Sequence, residues 1–135
     1  MAGLAGLAIA LLRPRRLAVR GGSMLPTLRP GDHLLVLRLP GIRVGDVVVV
    51  EAPAPAGPAG AAGRFAAPLV VVKRLAEAGP QGLVVLGDNP GASTDSRSWG
   101  LLPRRALRGR VVYRYAPRER AGRVPAARRA SVRLL

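Results

Sequence analysis

The chain of 135 residues has no cysteine, which excludes disulfides, thiolate metal sites and a cysteine nucleophile. It has a single histidine, His33, so a zinc centre built from several histidines is excluded. Aromatics are almost as scarce: Phe65, Trp99, Tyr113 and Tyr115 are all there are. A groove that stacks bases needs more of them beside its arginines, and no nucleic-acid partner is expected. Acidic residues number seven against 22 basic ones, for a net charge of +15. Such an excess fits an anionic partner, and it fits equally a coding bias that favours Arg, Ala, Gly, Pro and Val throughout. Apolar residues make up 49% of the chain, enough for one domain with a core and too many for a disordered one.

Lysine is the most telling scarcity. Of the 22 basic residues, 21 are arginine and one is lysine, Lys73, set inside the apolar run Leu69-Val70-Val71-Val72 and followed by Arg74. Arginine stays protonated in essentially any protein site, whereas burial can neutralise a lysine. A function that needs an uncharged amine accounts for the choice; so does a lysine snorkelling at a strand end.

The first twelve residues are apolar and are followed by Arg13, Arg15 and Arg16. As a helix they would reach about 18 Å, short of the ~30 Å hydrocarbon core, so they read as a truncated or mis-started anchor, a signal-like stretch or an interfacial helix. The body reads as strands at 33–38, 47–51, 69–74, 83–86 and 110–115, separated by Pro30-Gly31-Asp32, Gly45-Asp46 and the glycine–proline turn at 79–82. This pattern predicts a mainly β protein, an antiparallel sheet or open barrel, with helix confined to the N-terminal segment and a turn at 103–107. The expected division is a short N-terminal segment at 1–16, a β-rich domain at 17–116 carrying a flexible Ala/Gly/Pro insertion at 52–68, and a basic, disordered tail at 117–135.

Three islands carry chemistry. The first is Gly21-Gly22-Ser23-Met24-Leu25-Pro26-Thr27-Leu28, the second Val72-Lys73-Arg74, and the third runs from Gly87-Asp88-Asn89 through Ser93-Thr94-Asp95-Ser96-Arg97 to Gly100. A serine hydroxyl is a poor nucleophile until a base takes its proton. Outside the carboxylates the bases on offer are His33 and Lys73. His33 opens an apolar strand, with no second histidine or orienting pattern, and reads as an exposed strand-edge residue. Lys73 lies among valines that favour its neutral form, although at its ordinary pKa only roughly one lysine amine in 2,500 is neutral at pH 7. Arg74, on the opposite face of the same strand, is expected in solvent.

The islands, in this order and at this spacing, resemble the signatures of the signal peptidase I family. They span residues 21–100, and Gly109-Arg110-Val111 extends the match. The resemblance implies a β-rich catalytic domain on a membrane anchor, with Ser23 as nucleophile and Lys73 as general base. It also implies that Ser93 orients the amine, that Asp95 and Arg97 form a supporting ion pair, and that Asp88 belongs to the scaffold. The Ser23 backbone amide would serve the oxyanion. Gly21 stands where some members place a hydroxyl donor, which leaves the second donor open. No metal or cofactor is implied. The implied substrate is an extended N-terminal leader of a precursor protein, with small residues before the cleaved bond, bound by strand addition at a membrane. Small relatives of this type resemble the mitochondrial inner-membrane peptidases and the proteases that mature nickel-type superoxide dismutase. The alternative reading is a basic module for nucleic acid or an anionic surface, with a degenerate peptidase site.

Overall fold

Turn residues cut the chain into short apolar runs, and those runs pair into one sheet. The computed structural model describes residues 13–53 and 69–127. Its strands are β1 (Arg15–Ala18), β2 (His33–Leu37), β3 (Val47–Glu51), β4 (Val70–Gly79), β5 (Gly82–Leu86), β6 (Leu107–Ala116) and β7 (Gly122–Arg123), with one short helix, α1 (Ser96–Trp99). Every pairing is antiparallel, in the order β1-β2-β6-β3-β4-β5, and β7 adds to β6. The fold is therefore mainly β, a curled half-barrel, as the alternation of apolar runs and turns predicts.

β3 sits centrally and has both faces covered. Val47 and Val49 pack with Met24, Leu28, Leu34, Val36 and Val111 on one face. Val48 and Val50 pack with Leu75, Leu83, Val85, Leu102 and Ala106 on the other. Successive strand residues point to opposite faces, so a run of four buried valines requires two cores.

Two turns of the same Arg-x-Gly-Asp pattern feed β2 and β3. In Arg29-Pro30-Gly31-Asp32 and Arg43-Val44-Gly45-Asp46 the aspartate carboxylate accepts the arginine amide three residues earlier, at 2.8 Å in both cases. Each glycine has a positive φ, +91° at Gly31 and +100° at Gly45, a region that side chains disfavour. Each aspartate then faces an arginine of β6: Asp32 meets Arg114 and Asp46 meets Arg110.

Several expectations are corrected. β1 is a strand that sequence reading missed, and it contains the expected boundary at residue 16; its basic, largely exposed residues carry no alternating pattern. β4 runs on to Gly79 because β5 pairs with it across a bulge at Ala76, which overrides the weak strand preference of Ala76, Glu77 and Ala78. β6 likewise begins at Leu107, just after a 3-10 turn at Arg104–Ala106. His33 is exposed but is not at a sheet edge: β2 lies between β1 and β6, and the imidazole rests against Tyr115 at 5.7 Å. The chain from Pro117 to Ala127 is ordered, not a loose tail. It forms a 3-10 turn at Arg118–Arg120 and β7, and Ala127 donates to the Gly45 carbonyl at 2.9 Å. The apolar segment 1–12, most of the insertion (54–68) and residues 128–135 lie outside the described residues. At the base of that insertion Ala52 N–H donates to the Leu69 carbonyl at 2.8 Å, closing the β3–β4 connection. No helix among the described residues is long and apolar enough to cross a membrane.

The two-core arrangement makes a stability prediction. Leu75 is fully buried between β3 and β5, whereas Leu69 is 67% exposed. Leu75→Ala should cost about 2–5 kcal/mol in denaturant unfolding, and Leu69→Ala should stay within about 0.5 kcal/mol of the parent.

Candidate active site

Lys73 enters the site from β4, opposite Val48 of β3, and is only 4% exposed. Its Nζ donates to Ser93 Oγ at 3.0 Å. Ser93 Oγ donates to Asp95 Oδ2 at 2.7 Å, so the hydroxyl hydrogen is committed to the carboxylate and an oxygen lone pair faces the amine. Asp95 also accepts from the Gly87 amide at 2.8 Å and from Arg97, whose Nη2 lies 2.5 Å from Oδ2. The carboxylate is 1% exposed while the Arg97 side chain is 41% exposed, so the ion pair closes the site toward solvent. The third island therefore forms one hydrogen-bonded chain: amine, hydroxyl, carboxylate, guanidinium.

Ser23 lies half-buried in the turn that follows β1. The turn is fixed at its far end by Met24 and Leu28, both buried in the core, and by the Leu28 amide donating to the Met24 carbonyl at 2.9 Å. The segment 87–89 fastens it sideways. Asn89 N–H donates to the Ser23 carbonyl at 2.8 Å, Asn89 Nδ2 to the Gly22 carbonyl at 2.9 Å, and Thr27 Oγ1 to Asp88 Oδ2 at 2.5 Å. Gly87 is the point of closest approach. A Cβ there would lie 2.2 Å from Ser93 Oγ and 2.7 Å from the Ser23 carbonyl oxygen, so only a glycine lets the serine turn and the Ser93 hydroxyl share that space.

Ser23 and Lys73 line one cleft of about 440 Å³, walled by residues 16–20 of the β1 segment on one side and 69–73 of β4 on the other. Among the described residues the Lys73 amine bonds to Ser93, and no hydrogen bond joins it to Ser23; the two share only the lining of this cleft. His33 does not line this cleft. Arg74 does not point into solvent as expected. Its side chain is 11% exposed, forks onto both Asp88 oxygens at 2.6 and 3.1 Å, and donates to the Gly45 and Pro125 carbonyls. The residue beside the lysine thus holds Asp88 on the other face of β4, and Asp88 holds Thr27.

Burial sets the charge states. Desolvation pushes the Lys73 pKa below its ordinary value of 10.5; the nearby Asp95 carboxylate works against this and the Arg97 cation works with it. Burial alone would raise Asp95, but hydrogen bonds from Arg97, the Gly87 amide and Ser93 outweigh it and hold the carboxyl well below the usual range. Asp88 is also lowered: burial opposes this, and Arg74 and Thr27 prevail. Both carboxylates contribute stability that is complete above the ordinary carboxylate range and is lost as pH falls through their folded-state values. Six arginines, residues 74, 97, 108, 110, 114 and 120, pair with carboxylates among the described residues, so part of the positive charge is structural.

Sequence reasoning did not single out Gly87, Asn89, Thr27 or Ser96. Ser96 Oγ accepts the Val85 amide at 2.9 Å and ties α1 to β5. Asn89 and Ser96 act on backbone groups, Gly87 on the space between two segments and Thr27 on the distant Asp88 carboxylate, and no spacing rule reports such partners. All four lie within the quoted islands, which was the available signal.

The chain matches the family model described as "Signal peptidase, peptidase S26" over residues 1–81 and 69–116. It is 37% identical over 116 residues to mitochondrial inner membrane protease subunit 1 of Xenopus tropicalis, covering 76% of this chain and 69% of that protein. It is 38% identical over 120 residues to mitochondrial ATP-independent inner membrane protease subunit 1a of Arabidopsis thaliana, covering 77% of this chain and 71% of that protein. With a half-barrel that lines one cleft with Ser23 and Lys73 and hydrogen-bonds the third island to the serine turn and to the lysine, and with this extent of match, the chain belongs to the signal peptidase (peptidase S26) family and is a serine-type, signal-peptidase-like hydrolase.

Proposed function

We propose that the chain cleaves the leader of a precursor protein with Ser23 as nucleophile and Lys73 as general base. The observation that carries this reading is the buried Lys73 amine, bonded to Ser93 in the same cleft as Ser23. Ser93 accepts one N–H of the neutral amine and leaves the nitrogen lone pair free for the Ser23 hydroxyl. Ser23 Oγ adds to the scissile carbonyl as its proton passes to Lys73 Nζ. The ammonium then protonates the departing amine, the C–N bond breaks, and an ester remains on Ser23. Lys73 next takes a proton from water, the hydroxide attacks the ester carbonyl, and the proton returns to Ser23 Oγ as the acid leaves. In this reading the Ser23 amide, for which no acceptor is recorded among the described residues, donates to the oxyanion.

The cleft suits an extended peptide. Its walls are the outer edge of β1, which pairs only with β2 among the described strands, and the start of β4. A leader segment laid between them gains main-chain hydrogen bonds, and small side chains are expected before the cleaved bond. Membrane association follows from the relatives, which are named as inner-membrane proteases. Two physiological roles use this chemistry: removal of leaders from exported precursors, and trimming of one dedicated pro-protein, of which nickel-type superoxide dismutase is the candidate. The relatives' names favour the first.

Ser23→Ala and Lys73→Met should each reduce cleavage of a leader peptide by at least about 10³-fold while thermal unfolding stays cooperative; full activity in either variant would refute the dyad. Wild-type kcat/KM should rise with pH through a limb whose midpoint lies below 10.5, because the amine must lose its proton and burial lowers its pKa. Arg97→Gln should move that limb upward, since the Arg97 cation depresses the Lys73 pKa; a downward shift would contradict the charge assignment. Gly87→Ala should cost activity, because its methyl group would displace Ser93 or the Ser23 turn. In cells carrying Ser23→Ala, many exported proteins keeping their leaders would establish the general role, and a single uncut pro-protein the dedicated one.

A further inference from the structure

Thr27, four residues after Ser23, is gripped at both its polar groups. Its hydroxyl reaches Asp88, which Arg74 holds. Its carbonyl accepts from Arg114 Nη1 at 3.0 Å. Arg114 comes from β6, and its Nε donates to the Arg120 carbonyl at 2.5 Å. Both arginines meet Asp32, which is 1% exposed: Arg120 Nη1 stands 2.6 Å from Oδ1 and Arg114 Nη1 3.3 Å from Oδ2. None of the three lines the cleft.

The distances separate the tasks of the two arginines. Arg120 makes the short contact with the buried carboxylate and neutralises it. Arg114 makes its shorter bonds to two backbone carbonyls, Thr27 and Arg120, and only a longer one to Asp32. If Arg114 served only to compensate the Asp32 charge, its best geometry would be spent on the carboxylate. Instead its planar fork ties the serine turn to the chain after β6. The turn transmits a displacement at Thr27 toward Ser23, because the Leu28 amide is bonded to the Met24 carbonyl and the Leu25 amide to the Gly22 carbonyl.

We propose that Arg114, seated on Asp32 and Arg120, is a positioning residue that holds Ser23 against the Lys73–Ser93 pair through the Thr27 carbonyl. This rests on Ser23 being the nucleophile. It also gives the ordered segment 117–120 a part in the site, since Arg120 and its carbonyl fix the Arg114 fork.

The test compares the full chain with Arg114→Met, which keeps the length of the side chain and removes every donor. Cleavage of a leader peptide, acylation of Ser23 by a serine-directed electrophile, amide hydrogen exchange and the thermal midpoint are read on both proteins below their unfolding temperatures. Arg114→Met should lower kcat and the acylation rate by about ten- to a hundred-fold with KM within about twofold, the loss expected of a misplaced nucleophile. Exchange should rise at residues 22–28 and stay at the parent level in β3. A lower thermal midpoint with parental kcat, parental acylation and unchanged exchange at 22–28 would reduce Arg114 to a structural residue and overturn the proposal. Should Arg114→Met fail to fold, Arg114→Gln, too short to span Thr27 and Arg120 together, carries the same expected and overturning outcomes. Failure of the parent protein itself to be acylated at Ser23 would instead sink the nucleophile assignment, and the positioning role with it.

Discussion

An amine stripped of water inside a β-sheet is the constraint around which this protein is organised. Lys73 occupies a strand position that a valine could fill, and burial there disfavours its ammonium form. What makes the position tenable is one hydroxyl, Ser93, that accepts from the nitrogen and passes its own hydrogen to Asp95. The carboxylate is too close to be harmless: its charge favours the protonated amine. Arg97 answers it, both by hydrogen bonding to Asp95 and by its own repulsion of a second cation. The four groups balance so that desolvation remains the largest influence on the amine.

The rest of the architecture puts Ser23 and Lys73 on the walls of one cleft. β3 has two buried faces and fixes β4 on one side and β6 on the other. β4 carries Lys73 and Arg74 on opposite faces, so one strand supplies the amine and the anchor for Asp88. β6 supplies arginines to the two Gly-Asp turns and to the serine turn. Between them the glycine at 87 removes the side chain that would otherwise keep Ser23 and Ser93 apart. Buried ion pairs are weak evidence for stability in themselves, but three of the paired carboxylates, Asp32, Asp46 and Asp95, also fix backbone by accepting the Arg29, Arg43 and Gly87 amides.

Much of this was legible from residue types alone. The valine run at 47–50 and the Gly-Asp turns each announced their structure through a local rule, strand alternation or positive φ, and the apolar run around the lone lysine announced its burial. What was not legible depended on partners distant in sequence. The exposed strand β1 has no apolar rhythm of its own and exists because β2 pairs with it. Arg74 looked solvent-bound because it falls on the strand face opposite Lys73; its carboxylate, Asp88, arrives on the far side of the β4–β5 hairpin. Residues 117–135 looked like a loose basic tail, whereas the described part, 117–127, is held in place by Arg120 pairing with Asp32, just before β2 and 88 residues earlier. Charge pairing over such separations leaves no periodic trace.

The chain contains one lysine, so incorporation of isotope-labelled lysine gives a single side-chain resonance that belongs to Lys73. Following that resonance through a pH titration of the folded protein measures the quantity on which the account depends. The account predicts a midpoint clearly below 10.5, rising when Arg97 is replaced by glutamine. A midpoint at or above 10.5 would mean a hydrated or ion-paired ammonium, and would contradict the assignment of Lys73 as the base.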